Sequence, residues 1–301
     1  MHVKDLLIFE KVVSKGSISG AAEELNYVQS NITSRIRKLE TELKVSLFHR
    51  HKRGVTLTPE GKKAIDYAKK ITALVQEMKM ITTNEASPSG KLDIASVETV
   101  IKLPLILSQY NKQYKNVDLT LSTGVTAELT NDVLNYQLDG AFVTKNKATD
   151  HPDLLNVDVF NEKLVLISDS KSTSIEELFE KPVLGFSDGC GYRAKLNEWL
   201  DDHQIIPKKV MELGTLETTL GSVISGLGIA YVPYSAVQHY EKSGLIYCHE
   251  LPEKYSAITT IFIYRKADQL TPALEKFIET IIVHRDDAIS PFYRMEMINE
   301  S

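Results

Sequence analysis

The sequence predicts two regions of different fold class: an N-terminal all-α winged helix-turn-helix with a long linker helix, and a C-terminal two-lobed α/β domain. Three observations carry this. Residues 9–61 hold two short helices, a break and a basic hairpin. Residues 59–84 hold one long helix with apolar residues at a spacing close to 3.5. From residue 91 to 284, strand-like and helix-like segments alternate. A chain of 301 residues suits two or three domains, and the expected boundaries are 1–58, 59–90 and 91–301.

Ser17 fits as the N-cap of a helix through Ala21, Ala22 and Leu25, where the small alanine pair lets a second helix approach closely. Asn26 and Tyr27 make a short break, and the next helix runs from about Gln29 to about Leu43. Ile32, Ile36, Leu39 and Leu43 form one apolar stripe on it, which predicts its core face. The opposite face carries Ser30, Asn31, Ser34, Arg37 and Lys38, flanked by Thr33 and Arg35. Short hydrogen-bonding groups near the start of such a helix suit base edges in the major groove, and the cations suit phosphates. After it, Arg50, Lys52 and Arg53 surround Gly54 ahead of the strand-like VTLT, a basic hairpin suited to the adjacent backbone.

In the long helix, Ala64, Ala68, Ile71, Val75, Met78 and Ile81 form a stripe that calls for a second helix, either from another copy of the chain or from the chain's own body. EASPSG at 85–90 reads as a hinge. Expected strands beyond it are 91–97, 117–123, 138–143, 163–168, 183–187, 209–213, 227–232 and 259–265. Expected helices lie near 102–114, 126–136, 174–180, 191–203, 215–225, 234–242 and 270–284, an alternation that predicts parallel sheets. Residues 124–143 and 214–232 echo each other weakly: each has Gly, then Thr and Glu opening a helix, then a short apolar strand. Two similar units predict two lobes facing a cleft.

Charge supports this division. Residues 1–86 hold 15 Lys+Arg against 10 Asp+Glu, while the remainder holds 20 against 30. A basic module on an acidic body fits nucleic acid at one end and another partner elsewhere. No apolar run reaches the length of about 18 residues needed to span a membrane. Asp5, Glu10 and Lys11 interrupt any signal-peptide core, and two cysteines make no disulfide framework, so a cytoplasmic location is expected. The eight histidines form no HExxH or clustered metal set, and GxSxG, GxGxxG and P-loop patterns are absent. No catalytic residue, metal or cofactor is expected, and the chain reads as something other than an enzyme.

The N-terminal segment resembles the DNA-binding domain of LysR-type transcriptional regulators. The resemblance rests on Phe9, AAEEL at 21–25, Gln29, Ser34, IRKLE at 36–40, LF-x-R at 47–50 and LTPEG at 57–61. Two positions depart from the family pattern: Ser30 replaces the usual proline, losing a rigid helix start, and Lys44 replaces a glycine expected in a left-handed C-cap. SGLGIAYVP at 225–233 is a further family signature, and the likeness covers nearly the whole chain up to residue 284. It implies a linker helix that dimerises and an effector domain similar to two-lobed periplasmic solute-binding proteins. The implied partners are operator DNA, a second copy in a dimer or onward tetramer, and a small-molecule effector, with RNA polymerase left open.

Ligands of open α/β sheets sit at the carboxyl ends of strands, near helix N-termini. That rule selects Glu98 and Thr99, Thr126, the loop 185–193, and the stretch Gly214-Thr215-Leu216. Arg193 is expected to pair with an effector carboxylate, although protein carboxylates compete for it, and Glu98 would instead favour an amine or zwitterion. Thr126 and Thr215 also serve as N-caps whether or not a ligand binds. Cys190, between two glycines at a helix start, allows a second reading as a redox-responsive thiolate.

Overall fold

The structure is a computed structural model that describes residues 1–51, 53–82, 88–98, 100, 103–171, 174–186, 189–267 and 270–285. Lys52, Thr99 and residues 85–87 of the expected 85–90 hinge lie outside the described residues, as does the tail from 286. The chain divides into two compact units, Met1–Asn84 with Asn135–Gln137, and the remainder. None of the described helices is long and apolar enough to cross a membrane.

In the first unit, α1 (Val3–Lys15), α2 (Ile18–Glu24) and α3 (Gln29–Leu43) precede a hairpin of β1 (Phe48–His51) and β2 (Gly54–Leu57). The helix α4 (Pro59–Thr82) follows. Ser17 caps α2 as expected, accepting the Gly20 N–H at 3.1 Å. Ile32, Ile36 and Leu39 are buried against Ile8, Phe9, Val12 and Ala21, but Leu43 stays 41% exposed and ends the stripe one turn early. Lys44 adopts the left-handed C-cap conformation, φ 58°, despite its Cβ. The LTPEG motif has a physical account. Thr58 accepts the Gly61 N–H at 2.9 Å and donates to the Ser46 carbonyl at 2.7 Å, and a Cβ on Gly61 would lie 2.1 Å from the Leu47 carbonyl oxygen. Only glycine admits that approach.

The stripe on α4 divides. Ile65 and Ala68 are buried in the domain's own core, with Ala64 and Ile71 partly so. Thr72 donates to Glu10 at 2.7 Å, where burial pushes the Glu10 carboxyl up. Tyr67, Leu74 and Met78 remain 68%, 46% and 55% exposed. Tyr67, Ile71, Leu74 and Met78 are spaced by four, three and four, the same heptad spacing as the stripe of Ala64, Ala68, Ile71, Val75, Met78 and Ile81 read from sequence, and leave apolar side chains uncovered where Ala68 is buried.

The second unit opens with β3 (Gly90–Val97), α5 (Leu103–Gln113), β4 (Val117–Gly124), α6 (Thr126–Leu134) and β5 (Gly140–Thr144). A short 3-10 turn (Lys147–Thr149) leads to β6 (Leu154–Ser168) and α7 (Ile175–Leu178). Next come β7 (Val183–Gly185), α8 (Gly191–Asp202), β8 (Val210–Glu212), α9 (Leu216–Ile224) and β9 (Ile229–Pro233). The chain ends with α10 (Tyr234–Lys242), β10 (Tyr247–Glu250), α11 (Glu253–Ser256), β11 (Ala257–Arg265) and α12 (Pro272–His284).

The internal echo is a repeat of topology. β3-α5-β4-α6-β5 and β7-α8-β8-α9-β9 each place their first strand in the centre, giving parallel orders β4-β3-β5 and β8-β7-β9. Each half encloses its own core, one around Ile94, Phe142 and Phe277, the other around Leu166, Trp199 and Val232. The expectation of purely parallel sheets is corrected by β6 and β11, which run antiparallel to each other and to their remaining neighbours. Phe160 on β6 and Ile261 on β11 serve the first core, while Leu164 and Ile258 serve the second. These two strands therefore join the lobes, and their register shifts between Thr260 and Ile261 at the crossing.

Candidate nucleic-acid interface and effector cleft

With its apolar residues buried, α3 leaves Gln29, Ser30, Ser34, Arg37 and Lys38 exposed and Asn31 and Thr33 half-exposed. Thr33 spends its hydroxyl on the Gln29 carbonyl at 2.9 Å. Arg35 is committed elsewhere. It donates through Nη1 to Asp5 Oδ1 at 2.7 Å and through Nε to Asn31 Oδ1 at 3.1 Å. Asp5 is 2% exposed and also accepts the His2 N–H at 3.1 Å. Burial is the largest effect on its carboxyl and works to raise the pKa, but the hydrogen bonds from Arg35 and the His2 N–H, together with the nearby positive charge, outweigh it and hold the group below its usual value. Arg35, expected at DNA, instead pins α1 to α3. On the hairpin, Arg50 lies 3.7 Å from Glu40, whose other oxygen accepts the Leu47 N–H at 2.9 Å, so the wing is tied to the end of α3. Arg53 is exposed.

In the second unit, a cavity of ≈ 190 Å³ lies between the lobes, lined by Val97, Glu98, Thr123, Gly124, Val125, Phe186, Cys190 and Gly214. These residues follow the carboxyl ends of β3, β4, β7 and β8, where the rule for open sheets puts a ligand. The start of α8 closes on the first lobe here: a Cβ on Gly191 would lie 2.5 Å from the Thr144 methyl.

Of the expected effector residues, Glu98 and Cys190 line this cleft. Thr126, Thr215 and Arg193 do not line it, and Thr99 lies outside the described residues. Thr126 is 1% exposed, and its hydroxyl accepts the Thr144 N–H at 3.3 Å, fastening α6 to β5. Thr215 is the N-cap of α9, accepting the Thr218 N–H at 3.1 Å. Arg193 donates to the Phe186 carbonyl at 3.2 Å and sits 3.6 Å from Glu212. It lines a separate cavity of ≈ 250 Å³ between α8 and the β7–β8 edge. The convergence expected for these groups is therefore absent among the described residues. Sequence reasoning placed the loop 185–193 at the ligand without singling out Phe186, and it missed Val125, because a ligand-facing apolar side chain gives the same signal as a core one.

Burial pushes the Cys190 thiol up, against the opposing N–H groups of Arg193 and Tyr192. That reverses the thiolate expected from the helix start alone. Cys248 lies on β10, where burial and then Glu241 push its thiol up to about 12, and both cysteines are free. The ionisable side chains lining the cleft among the described residues are thus a neutral thiol and one carboxylate.

Residues 3–62 match the family model described as bacterial regulatory helix-turn-helix protein, lysR family, and residues 85–284 match the LysR substrate binding domain. The HTH-type transcriptional regulator CzcR of Bacillus anthracis is 51% identical over 284 residues, covering 94% of this chain and 98% of that one. SoxR of an Arthrobacter species, another HTH-type transcriptional regulator, is 53% identical over 281 residues, with 93% and 96% covered. Among solved structures, a full-length OxyR variant from Pseudomonas aeruginosa superposes with a TM-score of 0.72 at 22% identity, over 95% of this chain and 94% of that one. Full-length CbnR in complex with its target DNA gives 0.66 at 21%, over 93% and 99%. At these identities the two structures speak for the fold.

Proposed function

Since this chain belongs to the LysR family of bacterial helix-turn-helix regulators and is a DNA-binding transcriptional regulator with an effector-binding domain, not an enzyme, we propose the following division of labour. α3 lies in the major groove of an operator half-site, with Gln29, Ser30, Asn31 and Ser34 toward base edges and Arg37 and Lys38 toward phosphates. Arg50 and Arg53 on the wing take the neighbouring phosphates. Two copies pair through the exposed seam of α4, centred on Leu74, so that two half-sites bind together. Pairing of such dimers into a tetramer and a contact with RNA polymerase complete the proposed assembly, which acts in the cytoplasm where its DNA lies.

The cleft takes a small effector. Because Glu98 is the charged group on its lining, that effector presents an amine or zwitterion's ammonium there. This replaces the carboxylate-bearing ligand expected from sequence, since Arg193 lines the other cavity, 3.6 Å from Glu212. Closing the lobes on the ligand bends β6 and β11 where they cross, and so shifts one lobe on the other.

The observation that carries the DNA reading is the hydrogen-bonding and cationic face of α3, left uncovered while its apolar face fills the core. Binding assays with a specific and a random duplex test it. Arg37→Ala should weaken both alike and reduce the salt slope by about 0.9, the worth of one phosphate contact. Ser34→Ala should weaken the specific site more. An unchanged specific-to-random ratio for Ser34→Ala would overturn the assignment of that face.

A further inference from the structure

The last residue of the α2–α3 turn breaks two local rules at once. Val28 is the N-cap of α3, with extended backbone at φ −74° and ψ 141°, and its side chain caps nothing. N-caps favour Ser, Thr, Asp and Asn because a side-chain oxygen can satisfy a free helix N–H, and valine offers none. The side chain is also 69% exposed, next to the exposed Gln29 and Ser30 at the tip of the same helix. Packing does not explain it. The residue before the cap is the one that folds inward: Tyr27 sits against the first unit's core, and its N–H donates to the Ala22 carbonyl at 2.9 Å. With Tyr27 turned in, extended backbone turns Val28 out. Its carbonyl still starts the helix, accepting the Asn31 N–H at 3.0 Å.

We propose that Val28 is a specificity-determining residue that packs its two methyl groups on the C5-methyl of a thymine in the operator's major groove. The proposal rests on the reading of α3 as the helix that enters that groove. Thymine is the one base that shows a methyl group there, and small apolar side chains are the groups that read it. Neighbouring Gln29 and Ser30 offer hydrogen bonds, so Val28 supplies the apolar element of the same surface. A valine gives up capping and leaves apolar area in water in the free protein, and the exposed area is offset only where another apolar group covers it.

The test uses the full chain. Selection from a random duplex library first yields the preferred site. Deoxyuridine then replaces each thymidine of that site in turn, removing the methyl and nothing else. For the native protein, one replacement per half-site should weaken binding by about fourfold, the worth of one buried methyl-sized group. Val28→Ser, which installs a favoured cap and so keeps α3 intact, loses the contact in both protomers, so it should bind the thymine site about as weakly as the native protein binds the site carrying the replacement in both half-sites. It should also be indifferent to that replacement. If no replacement affects the native protein, or if Val28→Ser responds to the same replacement as strongly, the proposal falls while DNA reading by α3 stands. If the native protein selects no sequence at all, the underlying reading of α3 falls with it.

Discussion

Replacing Arg35 by methionine separates a fold role from a DNA role. Methionine keeps the unbranched stem and the helix propensity but removes the guanidinium. Asp5, 2% exposed, would lose its 2.7 Å charged hydrogen bond and keep only the His2 N–H. Hydrogen bonds to charged groups contribute about 1.5–3 kcal/mol. Arg35 is itself 34% exposed, so water screens part of this, and a value near the lower half, about 2 kcal/mol, is expected. That corresponds to about a 30-fold increase in local opening of α1 and α3. Hydrogen exchange of the amides in 3–15 and 29–43, followed by mass spectrometry on the full chain, measures it. The pH dependence has a definite sign. Asp5 is held below its usual pKa, so its stabilisation is complete above the unfolded value of about 4 and fades as pH falls through the lower folded one. The difference between native protein and variant should therefore be full at neutral pH and shrink below about pH 4. The salt slope of DNA binding should not change. If exchange were unchanged while the slope dropped by about 0.9, Arg35 would be a phosphate contact and the reasoning would be refuted.

Other substitutions probe the seam and the cleft. Leu74→Glu should leave each protomer folded, since Leu74 is 46% exposed within it, yet give a monomer by sedimentation that loses cooperative operator binding. A stable dimer would show that another surface pairs the chains. In a thermal-shift screen of small amines, amino acids and carboxylates, the amines and amino acids should raise the melting temperature, and Glu98→Gln should weaken the best of them by roughly 10- to 100-fold, as expected for a lost charged hydrogen bond. A carboxylate that binds Glu98→Gln as well as the native protein would rule out the proposed polarity.

The helix-turn-helix was legible because its elements are local. Ser17 caps α2 from three residues away, and the spacing of Ile32, Ile36 and Leu39 allows one buried face only. The two-lobed architecture was legible for a related reason, since each half repeats one strand–helix order that covers its own core. Positions that depend on distant chain segments were not legible. Arg35 looks like a DNA contact until α1 brings a buried carboxylate, 30 residues away in sequence, within 2.7 Å. Thr126 and Arg193 have the right chemistry at the right strand ends, but the turns that follow aim one at the Thr144 N–H and the other at Glu212. The first half of β6 escaped detection because residues 154–162 alternate irregularly between buried and exposed as the strand passes from one lobe toward the other. Periodicity reports which face of an element is apolar. Which charged or hydroxyl group stands opposite another is set by long-range packing, and so was decided only by the tertiary structure.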